Sequence, residues 1–203
     1  MDALIARIVE IDISILTFIA DNLKAPALDV IMRIITYFGE GGIFWIVVSL
    51  ICMAFPKTRK MGFTMALAMV FGIIIGNGII KNVVARPRPY TLEQFADLRG
   101  VAPLSDWSFP SGHTLASFEA AVSIFCYRKG IGVAAIALAV CVAISRLYLM
   151  VHFPSDVIAG ALLGILFAIC AFFIIKALYK RFDLENRLLF PFERKRLSAG
   201  KKD

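Results

Sequence analysis

The chain has 203 residues, of which 60% are hydrophobic and only 18% are charged. A water-soluble globular protein is usually about half apolar and about a quarter charged, so this composition indicates a polytopic membrane protein and excludes a disordered chain, a collagen or a disulfide-rich secreted module. The net charge of +7 comes from 22 Lys and Arg residues against 15 Asp and Glu residues. In a membrane protein such an excess typically sets the orientation. No nucleic-acid-binding motif accompanies it, so we expect no nucleic-acid partner.

The first predicted helix covers residues 1–20. Arg7, Glu10 and Asp12 interrupt its apolar residues, and no small-residue cleavage site follows, so we do not expect a cleaved signal peptide. An apolar helix with such charges either crosses the bilayer or lies along its interface. We favour a crossing, because it places both termini on one side.

Five further segments are predicted to cross the membrane. A crossing helix needs roughly twenty mostly apolar residues, and the candidates cover residues 34–55, 61–80, 111–127, 131–149 and 157–179. The connection 81–110 contains four prolines, so we do not expect one continuous helix there. The prediction is an all-α polytopic membrane bundle of about six helices in a single domain, 1–203. Residues 1–30 hold the amphipathic N-terminal helix and an outer loop, 31–180 the core with the candidate chemistry, and 181–203 a basic cytoplasmic tail.

Basic residues predict the orientation of these spans. Short basic connections at 56–60 and 128–129 and the basic tail fall on one side if the spans alternate, and that side is cytoplasmic by the positive-inside rule. The connections 81–110 and 150–156 then face outward. The outer end nevertheless carries cations that the rule disfavours there: Lys81, Arg86, Arg88, Arg99 and Arg146. We therefore expect a function for them, and we interpret Arg86 as an interface anchor or a secondary substrate contact.

Four features at the outer helix ends predict a phosphate site. Lys81 supplies a point charge, and the planar guanidinium of Arg88 suits phosphate oxygens. Ser111 and Gly112 precede an apolar helix, whose N-terminal N–H groups and dipole favour an anion. Arg146 adds a cation from a third helix end. Three cations and a helix start in one place indicate a site for a phosphate or a pyrophosphate.

The two histidines of the chain fall beside these cations. Asp156 lies in the first turn of a helix that starts after His152, so its carboxylate can orient the imidazole and stabilise its cationic form. The other ring nitrogen is then free to act as a nucleophile. His113, in the first turn of another helix, can give a proton to a leaving oxygen. This set suffices for phosphoryl transfer without a metal, because cations can replace magnesium in balancing charge.

Three clusters carry a family resemblance: Lys81 with Arg88 and Pro89; Pro110, Ser111, Gly112 and His113; and Ser145 and Arg146 with His152 and Asp156. In order and spacing they resemble the three-part signature of the type 2 phosphatidic acid phosphatase superfamily, which includes membrane lipid phosphatases and vanadium-dependent haloperoxidases. The resemblance covers about residues 30–180. It implies a six-helix bundle related to the acid phosphatase and vanadium haloperoxidase helical core, with its site near the outer face.

The resemblance also implies residue roles. His152 forms a phosphohistidine, Asp156 activates it and His113 protonates the leaving group. The residues that bind the transferred phosphoryl group are Lys81, Arg88, Ser111, Gly112 and Arg146.

The predicted function is that of an integral membrane lipid phosphatase acting through a phosphohistidine. Undecaprenyl diphosphate is the favoured substrate, on family analogy alone, and a glycerolipid such as phosphatidic acid or phosphatidylglycerophosphate is the alternative. A lipid phosphotransferase would use the same residues. A non-enzymatic anion or lipid transporter is less favoured, because transporters place their charges and broken helices at mid-membrane. We expect a bacterial cytoplasmic membrane, with the site on the extracytoplasmic side.

The sequence predicts neither a metal site nor a cofactor. The four cysteines lie in apolar runs, and neither histidine is near them, so we interpret them as buried hydrophobic residues. Gly160 and Gly164 form a G-x-x-x-G pattern, which we interpret as close helix packing rather than dimerisation. The expected partners are the lipid phosphate substrate and membrane lipids, and no feature specifies an oligomeric state.

Overall fold

The computed structural model describes residues 2–184, and the regular structure in this range is entirely helical. This confirms the predicted all-α bundle. Its helices are α1 (Asp2–Asn22), α2 (Pro26–Tyr37), α3 (Ile43–Ala54), α4 (Arg59–Phe71), α5 (Lys81–Val84), α6 (Gly112–Tyr127), α7 (Lys129–Tyr148) and α8 (Pro154–Phe182).

Within the described range, four helical stretches have the length and apolar composition of membrane spans: Pro26–Ala54, Arg59–Thr91, Lys129–Tyr148 and Pro154–Phe182. Apart from Phe55 and Leu149, they contain four of the five segments predicted beyond the first helix, namely 34–55, 61–80, 131–149 and 157–179. The predicted span 34–55 differs in detail, because the chain breaks between α2 and α3. Gly41 and Gly42 take positive φ angles of 54° and 68° there, a conformation that glycine adopts without steric cost. The second stretch continues from α4 through π-helical turns at Gly72–Ile80 into α5.

Residues 1–20, for which we favour a crossing and which correspond to α1, fall outside this set, and so does the predicted span 111–127. It corresponds to α6, whose 16 residues extend only about 24 Å, against about 30 Å for the hydrocarbon core of a bilayer. The helix packs against α4, α7 and α8. Its buried positions are largely small or polar, including Ser117, Ala120, Ala121 and Ser123. Such side chains allow neighbouring helices to approach closely, which makes α6 the central element of the bundle.

Two glycines of α8 confirm that this helix packs closely against α6. A Cβ atom built on Gly164 of α8 would lie 2.7 Å from the Leu115 carbonyl oxygen, and one on Gly160 would lie 2.8 Å from that of Ser111. Neither approach is possible with a larger residue. The G-x-x-x-G pattern therefore seats α8 on α6 within one chain.

The helices place the basic loops and the candidate site at opposite ends of the bundle. Lys60 at the start of α4 lies over the ring of Tyr179 near the end of α8, and Thr64 hydrogen-bonds the hydroxyl of Tyr127 at the end of α6. The other end gathers α5, the starts of α6 and α8 and the end of α7. Residues 85–111 close this end, with short 3₁₀ turns at Pro89–Thr91 and Glu93–Leu98, so they form no single helix, as predicted.

Helix α1 packs against the end that carries the candidate site. Leu16 is fully buried among Phe95, Met150 and Phe153, and Asp12 is only 2% exposed. Of the predicted basic tail, Arg181 belongs to α8. Its remaining basic residues, Arg187, Arg194, Lys195, Arg196, Lys201 and Lys202, lie outside the described residues.

Candidate active site

A cavity of about 300 Å³ opens at the end of the bundle that holds the predicted clusters. Five of the eight predicted site residues line it: Lys81, Arg88, Gly112, His113 and His152. The other three, Ser111, Arg146 and Asp156, are buried directly behind this lining. The three clusters, separated by up to 75 positions in sequence, thus form one site.

The imidazole of His152 lies between an acid and a cation. Its Nδ1 is 3.6 Å from Oδ2 of Asp156 and 3.4 Å from the hydroxyl of Ser108, which itself donates to the Asp156 carboxylate. The backbone N–H of Phe153 also donates to Asp156, at 2.8 Å. On the other edge of the ring, Nη1 of Arg88 lies 3.2 Å from Nε2. The contacts assign the ring proton to Nδ1 and leave the Nε2 lone pair facing the cations.

Electrostatics keep this ring neutral. Burial lowers the pKa of His152 most strongly; Asp156 raises it, but Arg146 and Arg88 lower it further, to about 3. The uncharged imidazole is the form in which Nε2 carries a lone pair. The ring therefore has the protonation state of a nucleophile at neutral pH.

Two of the predicted phosphate-binding cations converge on one carboxylate that the sequence analysis did not single out. Lys81 Nζ and Arg88 Nη2 each lie 2.5 Å from an oxygen of Asp106. Arg88 also donates to the backbone carbonyls of Asp106 and Val151. Burial alone would raise the pKa of Asp106, but the two cations outweigh it and hold that pKa at about 2.

The third predicted cation, Arg146, is 1% exposed. Its Nη1 donates to the hydroxyl of Thr36 at the end of α2, at 2.5 Å. Its Nε has no hydrogen-bond partner within residues 2–184. A buried guanidinium N–H without a partner is costly, so Arg146 retains unused capacity to bind an anion.

The start of α6 closes the site from a third direction. The backbone N–H of Ser111 donates to the Asp156 carbonyl at 3.1 Å and ties the start of α6 to that of α8. A Cβ on Gly112 would lie 3.1 Å from Oδ1 of Asn77, so a larger residue would crowd the lining. The Nε2 of His113 lies 3.2 Å from the carboxylate of Glu40, a half-exposed acid on the rim.

The interpretation of Arg86 as an interface anchor or substrate contact is wrong. Its guanidinium bridges two buried acids, with Nη1 2.7 Å from Asp156 Oδ1 and Nη2 2.7 Å from Asp12 Oδ2. Asp12 also accepts hydrogen bonds from the backbone and hydroxyl of Ser155. The N-terminal helix thus supplies an acid that holds Arg86 behind the site.

Sequence reasoning missed several polar residues that contact the predicted ones: Asp12, Thr36, Glu40, Asp106 and Ser108. Two signals were visible. Asp106 and Ser108 directly precede Pro110 in a loop rich in unexplained cations, and Asp12 is an acid inside an apolar helix. Thr36 and Glu40 offered no such signal, because an isolated hydroxyl or surface acid is common.

A buried acid forms the floor of the cavity. Glu119 is 1% exposed and lines the same cavity as His113. The backbone of Gly72 hydrogen-bonds its carboxyl group, and its Oε1 has no partner in the described part of the chain. In residues 2–184, no group of His, Cys, Asp or Glu side chains is arranged to hold a metal ion.

Comparison with known proteins identifies the family. The model of the PAP2 superfamily matches residues 57–180, which is more than half of the chain. The chain belongs to the PAP2 superfamily. The match contains all eight predicted site residues, and together with the four apolar helical stretches it makes this PAP2 protein an integral membrane protein.

Several relatives of this PAP2 protein have names. An undecaprenyl-diphosphatase of Sulfolobus acidocaldarius is 39% identical over 121 residues, 59% of this chain and 58% of the relative. Phosphatidylglycerophosphatase B of Bacillus subtilis is 30% identical over 166 residues, 76% of each chain. A crystal structure of a transmembrane PAP2-type phosphatidylglycerolphosphate phosphatase from Bacillus subtilis superposes with a TM-score of 0.64 at 25% identity, over 89% of this chain and 88% of that one. The chain thus spans 58% of the undecaprenyl-diphosphatase, little more than half of that relative's length.

Proposed function

We propose that this PAP2 protein hydrolyses a membrane lipid phosphate or diphosphate through a phosphohistidine at His152, without a metal ion. One observation carries the proposal: the neutral His152 ring has Nδ1 against Asp156 and Nε2 against the cations of a membrane-protein cavity. Family membership and relatives named as lipid phosphatases support the same reaction.

In the first step the cavity binds the phosphoryl group. Lys81, Arg88 and Arg146 balance its negative charge, and the hydroxyl of Ser111 and the backbone N–H of Gly112, at the start of α6, donate to a further oxygen. Preorganised donors of this kind stabilise the charge that develops in the transition state. The cations take the place that metal ions have in many phosphoryl-transfer enzymes.

In the second step Nε2 of His152 attacks phosphorus and the bond to the leaving oxygen breaks. Asp156 stabilises the imidazolium that forms. His113 donates a proton to the leaving alkoxide or phosphate. Water then attacks the phosphohistidine, its proton passes to His113, and release of inorganic phosphate restores the neutral His152 ring.

We propose undecaprenyl diphosphate as the substrate and undecaprenyl phosphate as the product, on the similarity to the named undecaprenyl-diphosphatase. A glycerolipid phosphate is the second candidate, supported by the relative named phosphatidylglycerophosphatase B, which matches more of the chain. A lipid phosphotransferase would use the same residues, with a lipid hydroxyl in place of water.

The test is phosphate release by the purified full-length protein from a panel of lipid diphosphates, lipid monophosphates and phosphodiesters, with a strong chelator present. We expect turnover of the diphosphate in chelator and inhibition by vanadate, which resembles the pentacoordinate transition state. His152→Ala should abolish turnover, and His113→Ala should slow phosphoenzyme formation by about 10²–10⁴-fold. Near-normal hydrolysis by His152→Ala would refute the mechanism, and activity that needs added magnesium would refute its metal independence.

We also propose that hydrolysis takes place at the extracytoplasmic face. The basic connection that contains Lys57 lies at the end of the bundle opposite the cavity, and short basic loops favour the cytoplasm. On a cysteine-free background, Thr91→Cys should react with a membrane-impermeant maleimide in intact cells. Lys57→Cys, equally exposed at the other end, should react only after the membrane is opened. The reverse labelling pattern would place the site in the cytoplasm.

A further inference from the structure

Asp106 spans the two cations that line the cavity. One carboxylate oxygen lies 2.5 Å from Nζ of Lys81 and the other lies 2.5 Å from Nη2 of Arg88. Both cations are buried, at 6% and 4% exposed, whereas the Asp106 side chain is 50% exposed. Two oxygens of a phosphate would meet the same pair of cations in the same way, because carboxylate and phosphate present similar pairs of acceptor oxygens.

The Asp106 carboxylate lies where the proposed reaction requires the phosphoryl group of the substrate. The guanidinium that binds Asp106 through Nη2 also contacts Nε2 of His152 through Nη1, at 3.2 Å. A phosphoryl group attacked by Nε2 must therefore lie against the same guanidinium. Asp106 and His152 line one cavity, so the carboxylate and a bound phosphoryl group compete for the same cations.

We propose that Asp106 occupies the phosphate position in the substrate-free protein, and that its displacement selects lipids with a terminal phosphate over phosphodiester lipids. This inference rests on the proposed role of Lys81 and Arg88 as phosphate ligands. Half of the Asp106 side chain is exposed, so the carboxylate has space to turn out of the cavity when phosphate enters.

The selectivity follows from charge. A terminal phosphate carries about −1.5 to −2 at pH 7, whereas a phosphodiester headgroup such as that of phosphatidylglycerol carries a single negative charge at its phosphate. A diester that displaces Asp106 exchanges one negative charge for another and gains no net attraction to the cations. A terminal phosphate adds negative charge beside Lys81, Arg88 and the incompletely paired Arg146. In a bilayer where phosphodiester lipids vastly outnumber lipid phosphates, this difference keeps the cavity available for substrate.

Asp106 stays negatively charged at the pH values at which it competes with phosphate. The two cations hold its pKa at about 2. The carboxylate is therefore ionised across the pH range in which the protein is assayed.

The test uses the purified full-length protein in detergent and two measurements: equilibrium binding of radiolabelled inorganic phosphate, and hydrolysis of a lipid phosphate in micelles with increasing phosphatidylglycerol. The variant is Asp106→Asn, which keeps the shape of the side chain and removes its charge. The matched control is Asp97→Asn, which removes an exposed acid from the neighbouring 3₁₀ turn. Asp106→Ser, a second removal of the carboxylate, must shift binding in the same direction.

We expect Asp106→Asn to bind inorganic phosphate about tenfold more tightly, a change of about 1.4 kcal/mol, and phosphatidylglycerol to become an inhibitor. The wild type and Asp97→Asn should show neither change. Weaker or unchanged phosphate binding by Asp106→Asn and Asp106→Ser would overturn the inference and assign Asp106 to holding Lys81 and Arg88 in place. Unchanged phosphate binding by Lys81→Ala and Arg88→Ala would instead overturn the proposed phosphate site, and this outcome is distinct from failure of the Asp106 inference alone.

Discussion

The bridge from the N-terminal helix to the candidate nucleophile makes a strong prediction about a residue outside the cavity. Asp12 accepts three hydrogen bonds: from the Ser155 backbone at 2.8 Å, from the Ser155 hydroxyl at 2.5 Å and from Arg86 at 2.7 Å. Asp12→Ala removes the two oxygens that accept these three hydrogen bonds and leaves the largely buried Arg86 paired with Asp156. Leaving a buried charge without a partner costs about 3–5 kcal/mol, and because Arg86 keeps Asp156, this range is the upper bound for Asp12→Ala.

Two measurable effects should follow from Asp12→Ala. The half-life of the folded protein at elevated temperature in detergent should fall steeply, and such kinetic stability is the meaningful quantity where unfolding is irreversible. Hydrolysis should also slow, because Arg86 is then free to draw Asp156 away from the His152 ring. A displacement of about 1 Å at a reacting group costs about 10²-fold in rate, so we expect kcat to fall by about 10- to 100-fold.

The matched control is Glu10→Ala on the same helix. Glu10 pairs with Arg7 on the exposed face, with both side chains more than two-thirds exposed, and such pairs contribute about 0–1 kcal/mol. Asp12→Asn, which keeps one acceptor oxygen without the charge, should be intermediate. If Asp12→Ala matches Glu10→Ala in both half-life and kcat, the bridge contributes nothing and the reasoning fails.

Three further predictions test the packing, the electrostatics and the cysteines. Gly164→Ala should destabilise the protein by about 1–3 kcal/mol, because its Cβ would lie 2.7 Å from the Leu115 carbonyl oxygen, a backbone atom that cannot turn aside; thermal inactivation should show no such loss for Gly130→Ala, where a Cβ meets no atom of the described residues within 4 Å, and equal half-lives would contradict the packing. In ¹⁵N-histidine NMR of the substrate-free protein, the His152 ring should stay neutral down to pH 5, because its pKa is about 3; a titration near pH 6.5 would contradict this. Since the unfolded chain takes up this proton below about pH 6.5 and the folded chain does not, the free energy of unfolding should decrease as pH falls from about 6.5 towards 3. Contrary to the sequence prediction, the cysteines are not buried within the bundle, since Cys141 and Cys170 are exposed and Cys52 and Cys126 are partly exposed. Simultaneous replacement of all four cysteines by Ala or Ser should leave hydrolysis intact, and a folded but inactive protein would bring a thiol into the mechanism.

The residues of the site were predictable because helix ends position them. Polar residues that follow or precede apolar runs gather at the same end of a bundle, so Lys81, His113, Arg146 and His152 could be grouped from the order of the spans alone. The chemistry of these side chains suggested their roles, and the family signature implied the same ones. Contacts between side chains were not predictable in the same way, because they depend on how the helices pack.

Asp12 and Arg86 illustrate what the sequence does not contain. They are 74 positions apart, and Arg86 is a further 70 positions from Asp156, so no local pattern links the three. The break between α2 and α3 was hidden for another reason. Gly41 and Gly42 lie within a run of low polarity, and hydropathy does not register the positive φ angles that end a helix.

Arg99 donates to the Val101 carbonyl and lies over the Tyr90 ring. The other four cations that the positive-inside rule disfavours divide into two groups with different partners. Arg86 faces two carboxylates, those of Asp12 and Asp156, which are both buried and belong to the framework. Within residues 2–184, Lys81 and Arg88 share the half-exposed carboxylate of Asp106, and Arg146 lies close by with its Nε unpaired. If Asp106 turns outward, Lys81 and Arg88 face the cavity with Arg146 behind them, and a doubly charged phosphate brings one more negative charge than the carboxylate it replaces. Arg86 remains neutralised throughout and keeps Asp156 aligned with the His152 ring. The outer end thus carries one set of cations that binds the substrate and one that stabilises the fold. The two sets differ in the number of carboxylates that pair with them and in how exposed those carboxylates are.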